Sequence, residues 1–152
     1  MKNIKAFLSI LFINFIFLHL HAQEIYQWDS IQKISYYDLT NHPTYKIESA
    51  KTIPKNIKFI SCKISAWNEI LSNITTEGSD VGGPESHLVV VVKFKNGESI
   101  PFKFLPKQKV LMDLRKEHFI VLFFKKEVFE KVDQIYKSCA TCFKDPNCQE
   151  IK

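Results

Sequence analysis

Apolar residues run along this chain in three patterns, and each predicts a different element. Residues 6–18 are apolar except for Ser9 and Asn14, follow Lys2 and Lys5, and lead to the small residue Ala22 before Gln23. A positive start, an apolar run shorter than the ~20 residues of a membrane span and a small exit residue predict a secretory signal peptide over residues 1–22. The alternative, an uncleaved N-terminal anchor, is disfavoured by His19 and His21 at the exit. Beyond a flexible start over 23–29, residues 34–39 and 57–62 are rich in β-formers and predict strands, punctuated by Asn41-His42-Pro43 and Pro54. From Ser65 the period lengthens. Trp67, Ile70, Leu71 and Ile74 stand at i, i+3, i+4 and i+7, the stripe of a helix over 65–74.

The sharpest pattern is a hairpin. Residues 88–95 run into Asn96-Gly97, the preferred two-residue type I′ turn, and residues 98–104 return. That turn pairs Lys95 with Glu98, Val91 with Phe102 and Val89 with Phe104, and places Pro101 opposite Val92. The missing N–H of Pro101 then points away from the valine strand, which predicts a sheet edge or a bulge there. Four consecutive valines (Val89 to Val92), apolar on both faces, predict a strand in the sheet interior. Residues 118–124 predict another, paired with the valine strand across the connection 105–117. Residues 126–140 predict an amphipathic helix with Val128, Phe129, Val132, Ile135, Tyr136 and Cys139 on its apolar stripe. The sum is one α+β domain over residues 23–152, an antiparallel sheet of four to five strands with two helices packed on one face.

Four cysteines in an exported chain predict two disulfides. Cys62 with Cys139 would pin the last helix to an early strand, and Cys142 with Cys148 would close a turn over Asp145-Pro146-Asn147. The exchanged pairing, Cys62 with Cys142 and Cys139 with Cys148, stays open. Zinc is disfavoured because Cys62 stands far upstream of the other three. Cys139-Ala-Thr-Cys142 comes at the end of the predicted helix, where the dipole opposes a thiolate, so a redox site is disfavoured too.

Charge narrows the function further. The chain holds 21 Lys+Arg against 16 Asp+Glu, a net charge of +5, and losing the leader removes two lysines and no acid. Arg115 is the sole arginine. Sequence-specific nucleic-acid readers lean on arginine forks, so nucleic acid is set aside. The Phe/Ile/Asn/Lys-heavy leader ending in Ala-Gln resembles those of exported Bacteroidetes proteins, and that resemblance covers the leader only. It implies a periplasmic or secreted protein. Asp29-Ser30-Ile31 is similar to the short O-glycosylation motif of that group, and Asn73-Ile74-Thr75 is an N-glycosylation sequon.

Two segments stand apart in charge. Residues 75–86 hold three of the four glycines and the acids Glu77, Asp80 and Glu85 without a base. Such a loop is a binding element or merely mobile. It has neither the Gly-Lys-Ser/Thr of a phosphate cradle nor the spacing of a calcium loop. Residues 103–126 carry seven bases, Lys107 and Lys109 among them, against Asp113 and Glu117. That is a solvated surface or a patch for an acidic protein, an anionic glycan or a lipid head group. His42, His87 and His118 follow the leader, and His87 beside the acidic loop is the best acid/base residue. No catalytic motif, cofactor motif or metal-ligand set emerges. The expectation is a small exported binding protein rather than an enzyme, with Glu77, Asp80, Glu85, His87, Lys107 and Lys109 as binding residues. Its partner would be another protein, in the manner of an immunity protein or inhibitor whose acidic loop plugs a basic cleft of a toxin or enzyme. The alternatives are a small hydrolase or ligand carrier with a pocket near the loop, and a surface-associated glycan- or lipid-binding subunit.

Overall fold

A computed structural model describes residues 26–42, 44, 47–76, 86–115 and 120–151. Among them the chain forms strands β1 (Ile31–Asp38), β2 (Phe59–Cys62), β3 (Ile74–Thr75), β4 (Leu88–Phe94), β5 (Ser99–Leu105), β6 (Val110–Asp113), β7 (Val121–Phe124) and β8 (Glu150–Ile151), with helices α1 (Ile64–Leu71) and α2 (Phe129–Lys144). All eight strands join one sheet in the order β3-β7-β6-β5-β4-β1-β2-β8. Its pairs are antiparallel except β2 with β8, which run parallel. The α+β class stands, but the sheet is mixed and larger than the four to five strands predicted. The added strands are short: β3 and β8 have two residues each and β6 four. Pieces of that length show no alternation to read.

The valine run is interior, as its pattern requires. β4 lies between β1 and β5, and its side chains divide between two cores. Val90 and Val92 join Tyr36, Trp67 and Phe102 in the larger core. Val89 and Val91 pack with Leu39, Ile47 and Ile53 on the opposite face. Trp67, Ile70 and Leu71 of α1 and Val132, Ile135, Cys139 and Cys142 of α2 all belong to the larger core, so both helices cover one face. Each valine contributes roughly 1.5–3 kcal/mol by burial, which is why a run apolar on both faces lies at the centre.

The hairpin register differs from expectation by one residue. Val90 faces Phe102 and Val91 faces Pro101. The connection is a three-residue loop: Gly97 N donates to Phe94 O at 3.0 Å, Phe94 N donates to Glu98 O at 2.8 Å, and Gly97 sits at φ 91°. That is a turn followed by a left-handed glycine, the other common way Asn-Gly closes a hairpin. The shift brings Phe102 onto the same face as Val90, inside the larger core. Pro101 is not at an edge. Its carbonyl accepts from Leu114 N at 3.0 Å, just past the end of β6, so its missing N–H costs the ladder little. β7 pairs with β6 and β3 rather than with β4, whose far side is taken by β1. Gly97→Ala meets no atom within 4 Å, so its cost is backbone strain alone. Urea unfolding should show a loss of about 1 kcal/mol, and less for Gly97→Asn, which tolerates left-handed backbone.

One disulfide is formed, not two. Cys142–Cys148 has a Cα separation of 5.2 Å and closes the predicted turn, with Asn147 N donating to Asp145 Oδ1 at 2.9 Å. It rules out the exchanged pairing. Cys62 and Cys139 are free, buried thiols of the larger core. The predicted flexible start is also corrected: Tyr26 is 1% exposed, and Trp28 packs on the larger core. The leader, residues 1–22, lies outside the described residues. No helix among the described residues is long and apolar enough to cross a membrane.

Candidate functional site

The end of β1, the start of β4 and the turn between β5 and β6 meet on one side of α2. Leu39 N donates to the His87 carbonyl at 2.8 Å, which ties the chain after β1 to the residue that precedes β4. Leu88 N, at the start of β4, donates to Ser86 Oγ at 3.2 Å. Between these strand ends and α2 lies a cavity of about 410 Å³, with His87, Lys107, Asp38, Tyr136, Phe143 and Lys144 among its lining residues. The volume is that of a small-molecule site. Two ammonium groups and an imidazole face one carboxylate there, and Asp38 is already engaged, accepting from Thr40 N at 3.0 Å and from Thr40 Oγ1. Aromatic walls and a cationic rim suit an anionic group attached to an apolar body.

Among the described residues the His87 side chain has no hydrogen-bond or ion-pair partner, whereas a general base that activates a nucleophile is oriented by a third group. Cys139 lines the cavity but is 1% exposed, and burial holds its thiol far above the ordinary value. A protonated thiol is a poor nucleophile. Among the described residues no cluster of three His, Cys, Asp or Glu residues is arranged to hold a metal ion.

The predicted binding residues separate into three groups. His87 and Lys107 come together in the cavity. Lys109 does not join them: at φ 60° it closes the turn into β6, and its ammonium pairs with Asp133 of α2 and lies 5.6 Å from the Phe129 ring centroid. Glu77, Asp80 and Glu85 lie outside the described residues, as does His118. Tyr136, expected on the core stripe of α2, is 36% exposed and lines the cavity. Its position at the margin of the helical stripe was the one sequence signal for that role. The basic segment is less available than its charge suggests. Arg115, like Lys109, is committed to acids of this chain, at 2.7 Å from both Glu98 Oε1 and Asp113 Oδ2.

Two features carried no sequence signal. A second cavity of about 910 Å³ lies near the tip of the hairpin, between Trp28, Ile64, Asn68, Leu71 and Lys95. Trp28 Nε1 is buried without a hydrogen-bond partner among the described residues. The other is a polar clasp around Asp113, whose side chain is 0% exposed. Tyr26 donates its hydroxyl proton to Asp113 Oδ2 at 2.8 Å, and Arg115 donates to both carboxylate oxygens. Burial, reinforced by the Asp113 carboxylate, pushes the Tyr26 phenol well above its ordinary value. Burial opposes the Arg115 charge, but the same carboxylate outweighs it and holds the guanidinium above its usual range. Both modification motifs have local structural roles as well. Asn73 Nδ2 donates to Glu69 O at 2.9 Å, closing α1, and Ser30 Oγ donates to Gln27 O at 2.8 Å.

No protein-family model matches this chain, and neither a curated protein nor a solved structure does.

Proposed function

We propose that this is an exported binding protein with no chemistry of its own, which engages a partner protein around the point where the acidic Gly-rich loop rejoins the sheet. One observation carries the reading. His87, Lys107 and Tyr136, from three segments far apart in sequence, line one cavity beside Ser86, the final residue of that loop. The loop's acids, Glu77, Asp80 and Glu85, suit a basic cleft, and the role in best agreement with the size and the secretory leader is neutralisation of a toxin or enzyme.

The test is co-purification from the native host with a C-terminal tag, comparing wild type with Asp80→Lys/Glu85→Lys and with Tyr136→Ala. A stoichiometric partner lost in the charge reversal, while the melting temperature stays within a few degrees, is the expected result. Capture that survives the reversal unchanged would remove the loop from the interface. A second reading is favoured by the cavity itself: a carrier of a small anionic amphiphile, with Lys107 and Lys144 on the anion and Tyr136 and Phe143 on the apolar body. Under that reading native mass spectrometry of the purified protein finds a small ligand, and Lys107→Glu/Lys144→Glu loses it by tenfold or more.

A further inference from the structure

The cavity at the tip of the hairpin has three walls. The first is the short 3-10 turn Trp28–Ser30 with the start of β1, the second is α1, and the third is Lys95 of the hairpin. Lys95 N donates to Ser30 O at 2.8 Å and Ser30 N to Gln27 O at 2.8 Å, which fixes the first wall against the third. From α1 and its C-cap come Ile64, Asn68, Leu71 and Ser72, spaced i, i+4, i+7 and i+8 along one face. At about 910 Å³ the cavity is at the large end of small-molecule sites. Trp28 is half-buried, with Tyr26 stacked on its ring at 4.9 Å between centroids. Its one polar ring atom, Nε1, is buried and unpartnered among the described residues. Whatever indole surface reaches the cavity is therefore carbon. Around it stand groups that both donate and accept. The side-chain amides of Gln27 and Asn68 are exposed and have no partner among the described residues. Ser30 Oγ and Ser72 Oγ each donate to a backbone carbonyl and keep lone pairs for an incoming donor. Asp29 and Lys95 are the charged lining residues, one of each sign, so the lining has no net charge.

We propose that this cavity binds a neutral oligosaccharide. A sugar ring shows C–H bonds on its faces and hydroxyls around its rim. Here the faces meet the carbon of Trp28 and Ile64, and the rim meets Gln27, Asn68 and the two serines. A hydroxyl and a side-chain amide each donate and accept, so they pair in either direction. The balanced charge separates this site from the cavity beside His87, where Lys107 and Lys144 favour an anion. An extended peptide needs a free strand edge or a row of apolar sockets, and β1 is already paired on both sides, with β2 and β4. The volume takes more than one sugar ring. Walls built from a turn, a helix and a hairpin tied to one another are ordered before the ligand arrives, which lowers the cost of binding. The two cavities share no lining residue, so the inference is independent of the partner-protein reading.

The full chain is titrated with cellohexaose, maltohexaose, mannohexaose, xylohexaose and N-acetylchitohexaose, each to 10 mM, by calorimetry and tryptophan emission. At least one should bind saturably and shift the emission, because Trp28 lines the site while the other tryptophan, Trp67, is 1% exposed in the core. Raising the salt to 0.5 M should change the affinity less than twofold, as for a ligand held without net charge. Gln27→Ala and Asn68→Ala should each weaken binding about fivefold or more. Both side chains are exposed, so both variants should melt within a few degrees of the wild type. Three results overturn the proposal. They are no binding by any of the five sugars, binding abolished by 0.5 M salt, and binding that Gln27→Ala/Asn68→Ala leaves unchanged.

Discussion

Asp113→Ala should destabilise the fold by about 3 kcal/mol at neutral pH. The carboxylate is wholly buried and is the common acceptor for the Tyr26 hydroxyl, the Arg115 backbone N–H at 3.0 Å and the Arg115 guanidinium. Removing it leaves a guanidinium only 23% exposed, with Glu98 alone beside it, and leaves the Tyr26 hydroxyl without its acceptor inside the core. The cost comes less from the lost attraction than from the unpaired groups left behind. Arg115→Met should therefore be cheaper in the Asp113→Ala background than in the wild type, and the double variant should lose clearly less than the sum of the single changes. Urea denaturation of the four proteins measures this. A loss below 1 kcal/mol for Asp113→Ala, or strict additivity, would show that the clasp does not anchor Tyr26.

Stability should hold to about pH 9 and then fall steeply. Unfolded thiols ionise near 9 and unfolded phenols near 10. In the native state burial pushes the Cys62 thiol up to about 11, holds Cys139 and Tyr26 higher still, and raises Tyr36 well above its ordinary value. Between these values the unfolded chain has released protons that the folded chain retains, so unfolding becomes easier as pH rises. The contribution is complete below pH 9 and is lost as pH rises toward and past 11. Each group adds a slope of up to about 1.4 kcal/mol per pH unit once its unfolded form ionises. Urea midpoints at pH 8, 9, 10 and 11 follow the loss. In Cys62→Ala/Cys139→Ala the fall should start a full unit later, where the phenols begin to ionise. A midpoint constant to pH 11 would contradict the burial of this cluster.

How much of this was legible in the chain depended on whether the information was local. The valine run of β4, the stripe of α2 and the Trp67-Ile70-Leu71 face of α1 follow from periodicity, because a side chain's direction repeats with the backbone. Asn96-Gly97 announced a hairpin but not its register. The same dipeptide closes a two-residue or a three-residue loop, and the choice here puts Phe102 opposite Val90 in the larger core. Cys142–Cys148 was one of two pairings open in the sequence, and the structure chooses the one whose partners are six residues apart. Cys62 and Cys139 share an environment only because β8 and α2 both lie against β2.

From the chain alone follow the fold class, the central strand and the core-facing residues of both helices. Each of these depends on residues within a turn or two of one another. Tertiary structure alone decided the strand order, the clasp that draws Tyr26 onto Asp113, and the meeting of His87 with Lys107 and Tyr136. Those contacts join residues far apart along the chain, and they form because burying the apolar faces of the sheet leaves few ways to arrange its strands. No local pattern encodes which distant residues that arrangement brings together.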